Sequence, residues 1–504
     1  MKSKRILMIP LDERPCNYRF PLLMPKAGFT LAMPPKELMG LKKRPGDTAG
    51  LANWLLENAA AADYAVVAMD TLIYGGLIPS RLHGESEKEL RARADVLRRL
   101  KEKNPLLKIF AFQTVMRCPC YSLSDEEPDY YADCGTELHL YGRYSHKERL
   151  GALTEEEKTD FERVKKQIPQ KALDDYTERR KKNLDTLLYT LEMVKEGIVD
   201  SFVVPQDDSA PYGFTSLDQQ VVRRYLKENR MQLKVPVYPA ADDTGMTMLA
   251  RAVNDMTGRE PKIYVYYASA KGPFVIPAFE DRSQDATIKN QIRAAGCKRV
   301  YSLPECDIFL AVNIGSEMLA NESFERMTAA YDVERSLPEY VEQLKYALAE
   351  GKTVAVADVA HPGGSDLELL ELLRDEGLLF KIHAYAGWNT SSNTLGTVIC
   401  ESCLYSAGKD ERGNWDFLLH RYYDDVGYCS HTRRWIDENA VPKYGCTVFL
   451  LDGERGKCVE AAKGELMRYM GENFPEAAAL VEDVDVSSPW NRTFEMDFII
   501  KTKD

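Results

Sequence analysis

Ten short runs of apolar, β-branched or aromatic residues recur along the chain, and each is followed by polar or glycine-rich residues and then by a helical pattern. The runs read RILMIP, TLAMP, YAVVAM, KIFAFQ, SFVVP, VPVYP, KIYVYY, DIFLAV, TVAVA and KIHAYA. Strands that alternate with helices in this way form parallel sheets whose faces the helices cover. The sequence therefore predicts an α/β fold of parallel βα repeats. The pattern allows either a barrel-like or a Rossmann-like N-terminal domain.

The length of 504 residues exceeds what one ordinary hydrophobic core supports, so we expect more than one domain. An N-terminal α/β domain is predicted over residues 1–257, with a charged helical insertion at about 118–200 that Pro169 interrupts. This insertion is either a lid or interface arm, or a solvated decoration. The stretch NDMTGREPK marks a boundary, after which a second α/β domain covers 258–405 and a mixed C-terminal region covers 406–504.

Charge and hydropathy exclude several kinds of partner. The net charge is −12 and the basic residues are scattered, unlike the basic patch of a nucleic-acid-binding protein. The apolar run near the N-terminus is too short for a signal peptide, and no run approaches the roughly 18 residues of a membrane span. We expect a cytoplasmic protein that binds a small molecule, with no nucleic-acid or membrane partner. The sequence does not indicate an oligomeric state.

The cysteines indicate reduced thiols. Eleven is an odd number in a long chain, whereas disulfide frameworks belong mainly to small secreted domains. Cys118 and Cys120 lack the two-residue spacer of a zinc site, and Cys400 and Cys403 lie in a predicted helix. Buried, inert cysteine is therefore the preferred interpretation. No cofactor is predicted, and the alternative is a divalent metal.

The stretch SFVVPQDDSAPYGF places two adjacent carboxylates, Asp207 and Asp208, directly after a strand-like run. Burial and repulsion disfavour such a pair unless something offsets them, and a helix cap needs only one side chain. Ligand sites of α/β folds lie at the carboxyl ends of strands, so we predict both aspartates as catalytic residues. Taken singly, Asp or Asn there also caps helices and forms turns. The residues predicted to bind substrate are Asp12, Arg14, Asp70, Arg81, Gln113, Asp243, Asp358, Trp388, Asn389 and Asn393.

Three chemistries fit these residues. Carboxylates, amides and aromatic side chains suit a hydroxyl-rich ligand such as a sugar, and two carboxyls with separated pKa values perform glycoside hydrolysis, which is the leading hypothesis. A divalent metal held by Asp358 and His361 would instead support hydrolysis or isomerisation. A noncatalytic sugar-binding protein is the third possibility. Neither a GxSxG elbow nor a GxGxxG loop is present to favour a serine hydrolase or a dinucleotide enzyme.

Eight motifs occur in an order that closely resembles the bacterial family catalogued as domain of unknown function 4127. They read PLDERPCN, PPKELMG, RPGD, MDTLIYGGLIPSR, PQDDSAPYG, ADDTGMTMLAR, VADVAHPGGSD and YAGWNTSSNTLGT, and they cover the chain to about residue 405. The family implies no activity. PAADD stands where Pro-Gly-x-Asp-Glu is usual and HPGGSD where Asn-Gly-x-Asp is usual, so the resemblance assigns no fixed role to Asp243 or His361. The residues that match the pattern are Asp12, Asp70, Asp207, Asp208, Asp358, Trp388 and Asn389.

Two shorter resemblances bear on activity. PQDDSAPYG is similar to the paired-Asp segment of family 84 glycoside hydrolases, which are retaining β-N-acetylglucosaminidases with a barrel catalytic domain. That likeness implies that Asp207 polarises the acetamido group of the substrate while Asp208 is the general acid. VADVAHPGGSD resembles a stretch of the MlrC metallopeptidases, which is consistent with the metal alternative.

Overall fold

The computed structural model describes residues 3–317 and 329–503. The chain folds into two compact units, and each contains segments that are distant in sequence. The first unit consists of Met1–Glu13, Phe29–Met248 and Phe279–Arg282. The second unit consists of Arg14–Gly28, Leu249–Ala278 and Ser283–Asp504.

A six-stranded sheet forms the centre of the first unit, in the order β2-β1-β3-β4-β5-β6. Its strands all pair in parallel. Because the order ends at β2 on one side and at β6 on the other, the sheet is open, so the structure has the Rossmann-like arrangement and not the barrel. The strands are β1 Lys4–Ile9, β2 Phe29–Ala32, β3 Tyr64–Ala68, β4 Lys108–Phe112, β5 Ser201–Gln206 and β6 Val237–Pro239.

Three helices of the first unit begin at a side-chain cap, formed by Asp47, Ser86 and Thr154. Asp47 accepts a hydrogen bond from the Gly50 amide at 2.9 Å, and Ser86 forms a reciprocal capping box with Glu89. A further helix, Thr244–Thr257, runs across the boundary at residue 248. The other helices are Thr48–Asn58, Met69–Tyr74, Leu77–Ser80, Glu87–Ala94, Val96–Lys103, Tyr131–Arg149, Glu155–Gln167, Gln170–Lys195 and Phe214–Glu228.

Three of these helices fill the chain between β4 and β5 and have a hydrophobic core of their own. Tyr131, Phe161 and Tyr176 pack together in it and are at most 2% exposed. The same core includes Met116 and Cys118 from the segment that follows β4. The charged residues that dominate the sequence here cover the outer faces, while these aromatic residues attach the helices to the strand ends.

The second unit repeats the strand order of the first. Its five strands pair in parallel in the order β11-β10-β9-β7-β8. As in the first sheet, the second strand of the unit lies on one side of the first strand, and the later strands lie on the other side. These parallel sheets confirm the predicted α/β class. The strands are β7 Lys262–Tyr267, β8 Lys298–Val300, β9 Ile308–Asn313, β10 Thr353–Asp358 and β11 Ala384–Ala386.

Residues 406–504 belong to the second unit and share one hydrophobic core with its sheet. They include an antiparallel pair, β12 Val481–Ser487 and β13 Asp497–Thr502. No helix in the described ranges is both long and apolar enough to cross a membrane. The helices of this unit are Pro15–Tyr18, Phe20–Leu23, Gln284–Ala294, Leu337–Ala349, Leu367–Asp375, Ser391–Gly408, Glu411–Arg421, Arg433–Trp435, Val441–Lys443, Lys457–Asn473 and Pro475–Ala479, with π-helical turns at Ala329–Val333, Tyr422–Thr432 and Ile436–Ala440.

Candidate active site

The polar residues predicted at the strand ends of the first unit are buried at the carboxyl edge of its sheet. Ligands of open α/β sheets bind at this edge, where the strand order reverses between two neighbours, here β1 and β3. The side chains that follow five of the strands lie there with less than a tenth of their surface exposed: Asp12, Asp70, Gln113, Asp207 and Asp243.

Arg81 offsets the charge of the first of the adjacent aspartates. Its guanidinium donates hydrogen bonds to Asp207 at 2.7 Å, to Glu127 at 3.1 Å and to Glu126 at 3.2 Å. The side chains of Arg81 and Glu127 are 1% and 0% exposed, so solvent screens this contact very little. A residue that the sequence predicts as a substrate ligand thus holds three carboxylates together.

Arg117 has the same role for the second aspartate. It donates to Asp208 at 3.0 Å, and also to Glu127 at 2.8 Å and to Glu126 at 2.9 Å. Two guanidinium groups therefore share four carboxylates, including Asp207. Negative charge is in excess in this buried cluster, and such an excess increases the affinity of a carboxyl for protons.

Asp208 has a raised pKa, and burial is its main cause. Burial raises its pKa to about 6, with Arg117 acting in the opposite direction and the charge of Asp207 adding to the rise. The backbone of Asp208 has a φ of +38°, and that of nearby Phe279, whose carbonyl accepts from the Ser209 amide at 2.8 Å, has a φ of +66°. Residues other than glycine rarely adopt such angles, and they cluster at ligand sites when they do.

A cavity of about 290 Å³ lies beside Asp208. Its wall is mostly aromatic and apolar, and the only carboxyl groups among its described lining residues are those of Asp208 and Glu280. Wide aromatic surfaces with a few convergent polar groups are typical of small-molecule sites. The aromatic residues of the wall are Tyr121, Tyr212, Phe214 and Phe279.

Ser209 and His139 also line the same cavity. Ser209 is 3% exposed, and its hydroxyl has no hydrogen-bond partner within the part of the chain that the structure describes. His139 places Nδ1 at 2.8 Å from the Cys118 carbonyl oxygen. Because a carbonyl only accepts, Nδ1 of His139 carries a proton.

The remaining predicted residues of this unit fix the surrounding loops. Asp70 accepts from the Thr114 amide at 2.9 Å and from its hydroxyl at 2.8 Å, and burial raises the pKa of Asp70 to about 7. Gln113 accepts from a neighbouring threonine at 3.0 Å, and Asp243 accepts from the Ala241 amide at 3.3 Å. The predicted residues of this unit that do not line the cavity are Asp12, Asp70, Arg81, Gln113, Asp207 and Asp243.

Asp358 ends β10 in the second unit and has hydrogen bonds on both carboxylate oxygens. Asn313 donates to one oxygen at 2.9 Å, while the Asp366 amide at 2.7 Å and the Tyr385 hydroxyl at 3.0 Å donate to the other. Burial and the neighbouring Asp366 raise the pKa of Asp358 to about 7. Arg335 pairs with Asp366 in the same cluster. These contacts connect the ends of β9, β10 and β11.

The alternative metal ligands do not form a cluster in this structure. His361 stacks on Tyr331 with ring centroids 5.2 Å apart. Within the described ranges, neither His361 nor Asp358 belongs to a group of three His, Cys, Asp or Glu side chains whose ligand atoms lie close together. Such a group exists elsewhere in this unit, at Cys446, Asp452 and Cys458.

The last predicted residues lie near the end of β11 in the second unit. Arg14, Trp388 and Asn389 line a cleft of about 40 Å³, and Asn389 has a φ of +51°. Trp388 donates from its indole to a threonine hydroxyl at 3.2 Å. Asn393 is buried, and its Oδ1 has no hydrogen-bond partner among the described residues. This cleft is far smaller than the cavity of the first unit.

We expect Glu401→Gln to remove a pH dependence of stability. Glu401 is fully buried, accepts from the Tyr385 amide at 3.0 Å, and has a pKa that burial raises well above its usual value. The folded state therefore holds a proton that the unfolded state releases above about pH 4.3, so stability falls as the pH rises. Glutamine retains the acceptor without ionising. The melting temperature of the variant relative to wild type should increase from pH 5 to pH 8, and a constant difference would contradict this.

Several residues of the site were not predicted from the sequence. Glu126 and Glu127 lie in the DEEPD run, and Glu280 lies in FEDR. Neither run follows a strand, so a search of strand ends passes over them. Acidic runs that have no lysine or arginine beside them are the sequence signal that could have indicated Glu126 and Glu127.

Comparisons with known proteins identify a family without assigning an activity. The family model described as "Protein of unknown function (DUF4127)" matches residues 6–499. No curated protein matches the sequence. Among solved structures, a β-glucosidase from Exiguobacterium marinum aligns at 12% identity over 67% of this chain and 77% of that chain, with a TM-score of 0.13. A score this low carries no argument about the fold or the activity.

Proposed function

Because the chain belongs to the DUF4127 family, whose description names no activity, we propose its function from the first unit: hydrolysis of a small carbohydrate with Asp208 as general acid. One observation carries the proposal. Asp208 has a pKa raised to about 6 by burial and lines a cavity of about 290 Å³ that is large enough for a small ligand. A carboxyl that keeps its proton near neutral pH is what general acid catalysis requires.

The surroundings of Asp208 stabilise both its protonated form before proton transfer and its carboxylate afterwards. Before transfer, burial favours the protonated carboxyl, which can donate to the glycosidic oxygen of a substrate. After transfer, the Arg117 guanidinium at 3.0 Å stabilises the carboxylate that results. Arg117 is held in place by Glu126 and Glu127, so it does not need to reorganise during the reaction.

Glycoside hydrolysis uses a second carboxyl group, and we assign this role to Glu280. Glu280 is 5% exposed and lines the same cavity as Asp208. It would act either as the base that activates water or as the nucleophile. Asp207, the other member of the sequence-predicted pair, pairs with Arg81 at 2.7 Å, and we assign it a supporting role. The role of Asp208 agrees with the one that the resemblance to family 84 glycoside hydrolases implies.

The lining of the cavity suits a sugar ring. Aromatic faces pack against the C–H surfaces of sugars, and Tyr121, Tyr212, Phe214 and Phe279 provide such faces. The carboxyl groups of Asp208 and Glu280 lie in the same wall and can form hydrogen bonds with sugar hydroxyls.

The first test is a screen of the purified chain against chromogenic glycosides, N-acetylhexosaminides included, with and without chelator. We expect turnover that chelator does not reduce, because no step of the proposal uses a metal. Asp174→Asn is a suitable control variant, since Asp174 is an exposed carboxylate of the same unit. Absence of turnover across the screen, or turnover that chelator removes, would be evidence against the proposal.

The pH dependence of turnover gives a second prediction. With a pKa of about 6 for Asp208 in the free protein, kcat/KM should decline as the pH rises above 6, because the fraction of free enzyme that carries the proton decreases. The measurement is kcat/KM between pH 4.5 and 8.5, using the best substrate of the screen. A kcat/KM that is constant from pH 6 to pH 8 would contradict the role of Asp208 as general acid.

A further inference from the structure

We propose that Cys446, Asp452 and Cys458 bind one zinc ion in the second unit. The ligand atoms of these residues, two sulfurs and a carboxylate oxygen, all lie within 4.8 Å of one another. In a tetrahedral site, bonds of about 2.3 Å to sulfur and 2.1 Å to oxygen place the ligand atoms roughly 3.5–3.8 Å apart. The three side chains therefore need to move by only about 1 Å to take up this geometry.

The donor set selects the metal. Thiolate ligands favour zinc and disfavour magnesium and calcium, which prefer oxygen. Three protein ligands leave a fourth position for water, and the exposed side chain of Asp452 puts that position at the surface.

Local structure holds the carboxylate next to one of the thiols. The Asp452 oxygens accept from the Lys457 amide at 2.7 Å and from the Cys458 amide at 3.1 Å, at the start of the helix Lys457–Asn473. Gly456 permits this approach, because a Cβ there would lie 2.4 Å from Asp452 Oδ1. Hydrogen bonds to a ligating carboxylate of this kind orient it toward a metal.

The second thiol is placed by the preceding helix. The Cys446 amide donates to the Val441 carbonyl at 3.0 Å, immediately after the helix Val441–Lys443. Cys446 and Cys458 thus come from two helix ends joined by a loop, which the ion would connect. The site uses none of the residues of the proposed hydrolase, and its test is independent of that activity.

The experiment is a zinc titration of the full chain, stripped of metal and kept reduced, in competition with a chromophoric chelator. We expect one zinc ion per chain, with affinity lower by on the order of 100-fold in Cys446→Ser and in Cys458→Ser. Asp452→Asn retains one of the two oxygens that accept from the helix amides and should also bind zinc more weakly. Cys120→Ser, which removes an exposed thiol outside the site, should bind as wild type does. Cobalt in place of zinc should give the thiolate charge-transfer absorption and the intense visible bands of tetrahedral coordination.

Three results would overturn the proposal. The first is a fully reduced chain that binds no zinc. The second is undiminished zinc binding by the double variant of Cys446 and Cys458, which would place the ion elsewhere. The third is the loss of two titratable thiols without reductant, mapped by peptide analysis to a Cys446–Cys458 disulfide, together with absence of zinc binding after reduction.

Discussion

Asp208→Asn is expected to lower glycoside turnover by about 10²–10⁴-fold, the usual contribution of a general acid. Asparagine has nearly the same shape but carries no acidic proton. It also tolerates the left-handed backbone that residue 208 adopts, with a φ of +38°. Arg117 keeps its contacts with Glu126 and Glu127 when the charge at residue 208 is removed, so the variant should lose little stability. The variant should therefore melt close to wild type while its rate declines.

The leaving group of the substrate distinguishes loss of the general acid from a nonspecific loss of activity. A glycoside with a good leaving group needs little protonation, so Asp208→Asn should retain far more activity on it than on one with a poor leaving group. Asp174→Asn should match wild type on both substrates. Equal loss on the two substrates, or wild-type rates in the Asp208 variant, would contradict the assigned role. Asp207→Asn tests the other aspartate of the pair that the sequence predicts. We expect its loss of rate to differ less between the two substrates than the loss caused by Asp208→Asn.

Arg81→Met is expected to lower the free energy of unfolding more than any other substitution named above. The guanidinium is 1% exposed and neutralises Asp207 and Glu127, and removal of one partner of a buried pair costs about 3–5 kcal/mol. In a folded unit of this size that corresponds to a fall in Tm on the order of 10 °C. Thermal unfolding followed by circular dichroism measures the effect.

Arg163→Met is the matched control for this prediction. Arg163 forms an exposed pair with Asp160 within one helix, and such pairs contribute at most about 0.5 kcal/mol. Arg81→Lys retains the charge but lacks the planar fork that reaches three carboxylates, so it should melt between Arg81→Met and wild type. If Arg81→Met has the same Tm as wild type, the pairing of Arg81 with its buried carboxylates does not stabilise the first unit.

The strand ends illustrate what the sequence can predict. Asp70, Asp207 and Asp243 follow apolar runs long enough to be strands, and parallel strands bring their carboxyl ends to one edge. The sequence also shows that Asp207 and Asp208 need something to offset their repulsion. It does not show what, because Arg81 lies 126 residues from Asp207 and meets it only in the folded unit.

The cavity illustrates what the sequence cannot predict. Phe279 and Glu280 line it, although they belong to a four-residue segment, Phe279–Arg282, flanked on both sides by the second unit. A segment this short has no periodicity of its own, so a sequence pattern cannot assign it to the first sheet. Residues 14–28 likewise belong to the second unit, although the chain before and after them belongs to the first. The predicted boundary near residue 257 indicates neither of these two exchanged segments.

The chain passes between its two units five times, at residues 13, 28, 248, 278 and 282. A gene truncated after residue 257 would still encode the first sheet, yet its product would lack Phe279 and Glu280. Recombination could not exchange either unit as an independent module, because each unit includes a segment whose codons lie between those of the other unit. Inheritance as one indivisible piece is therefore what we expect across the family.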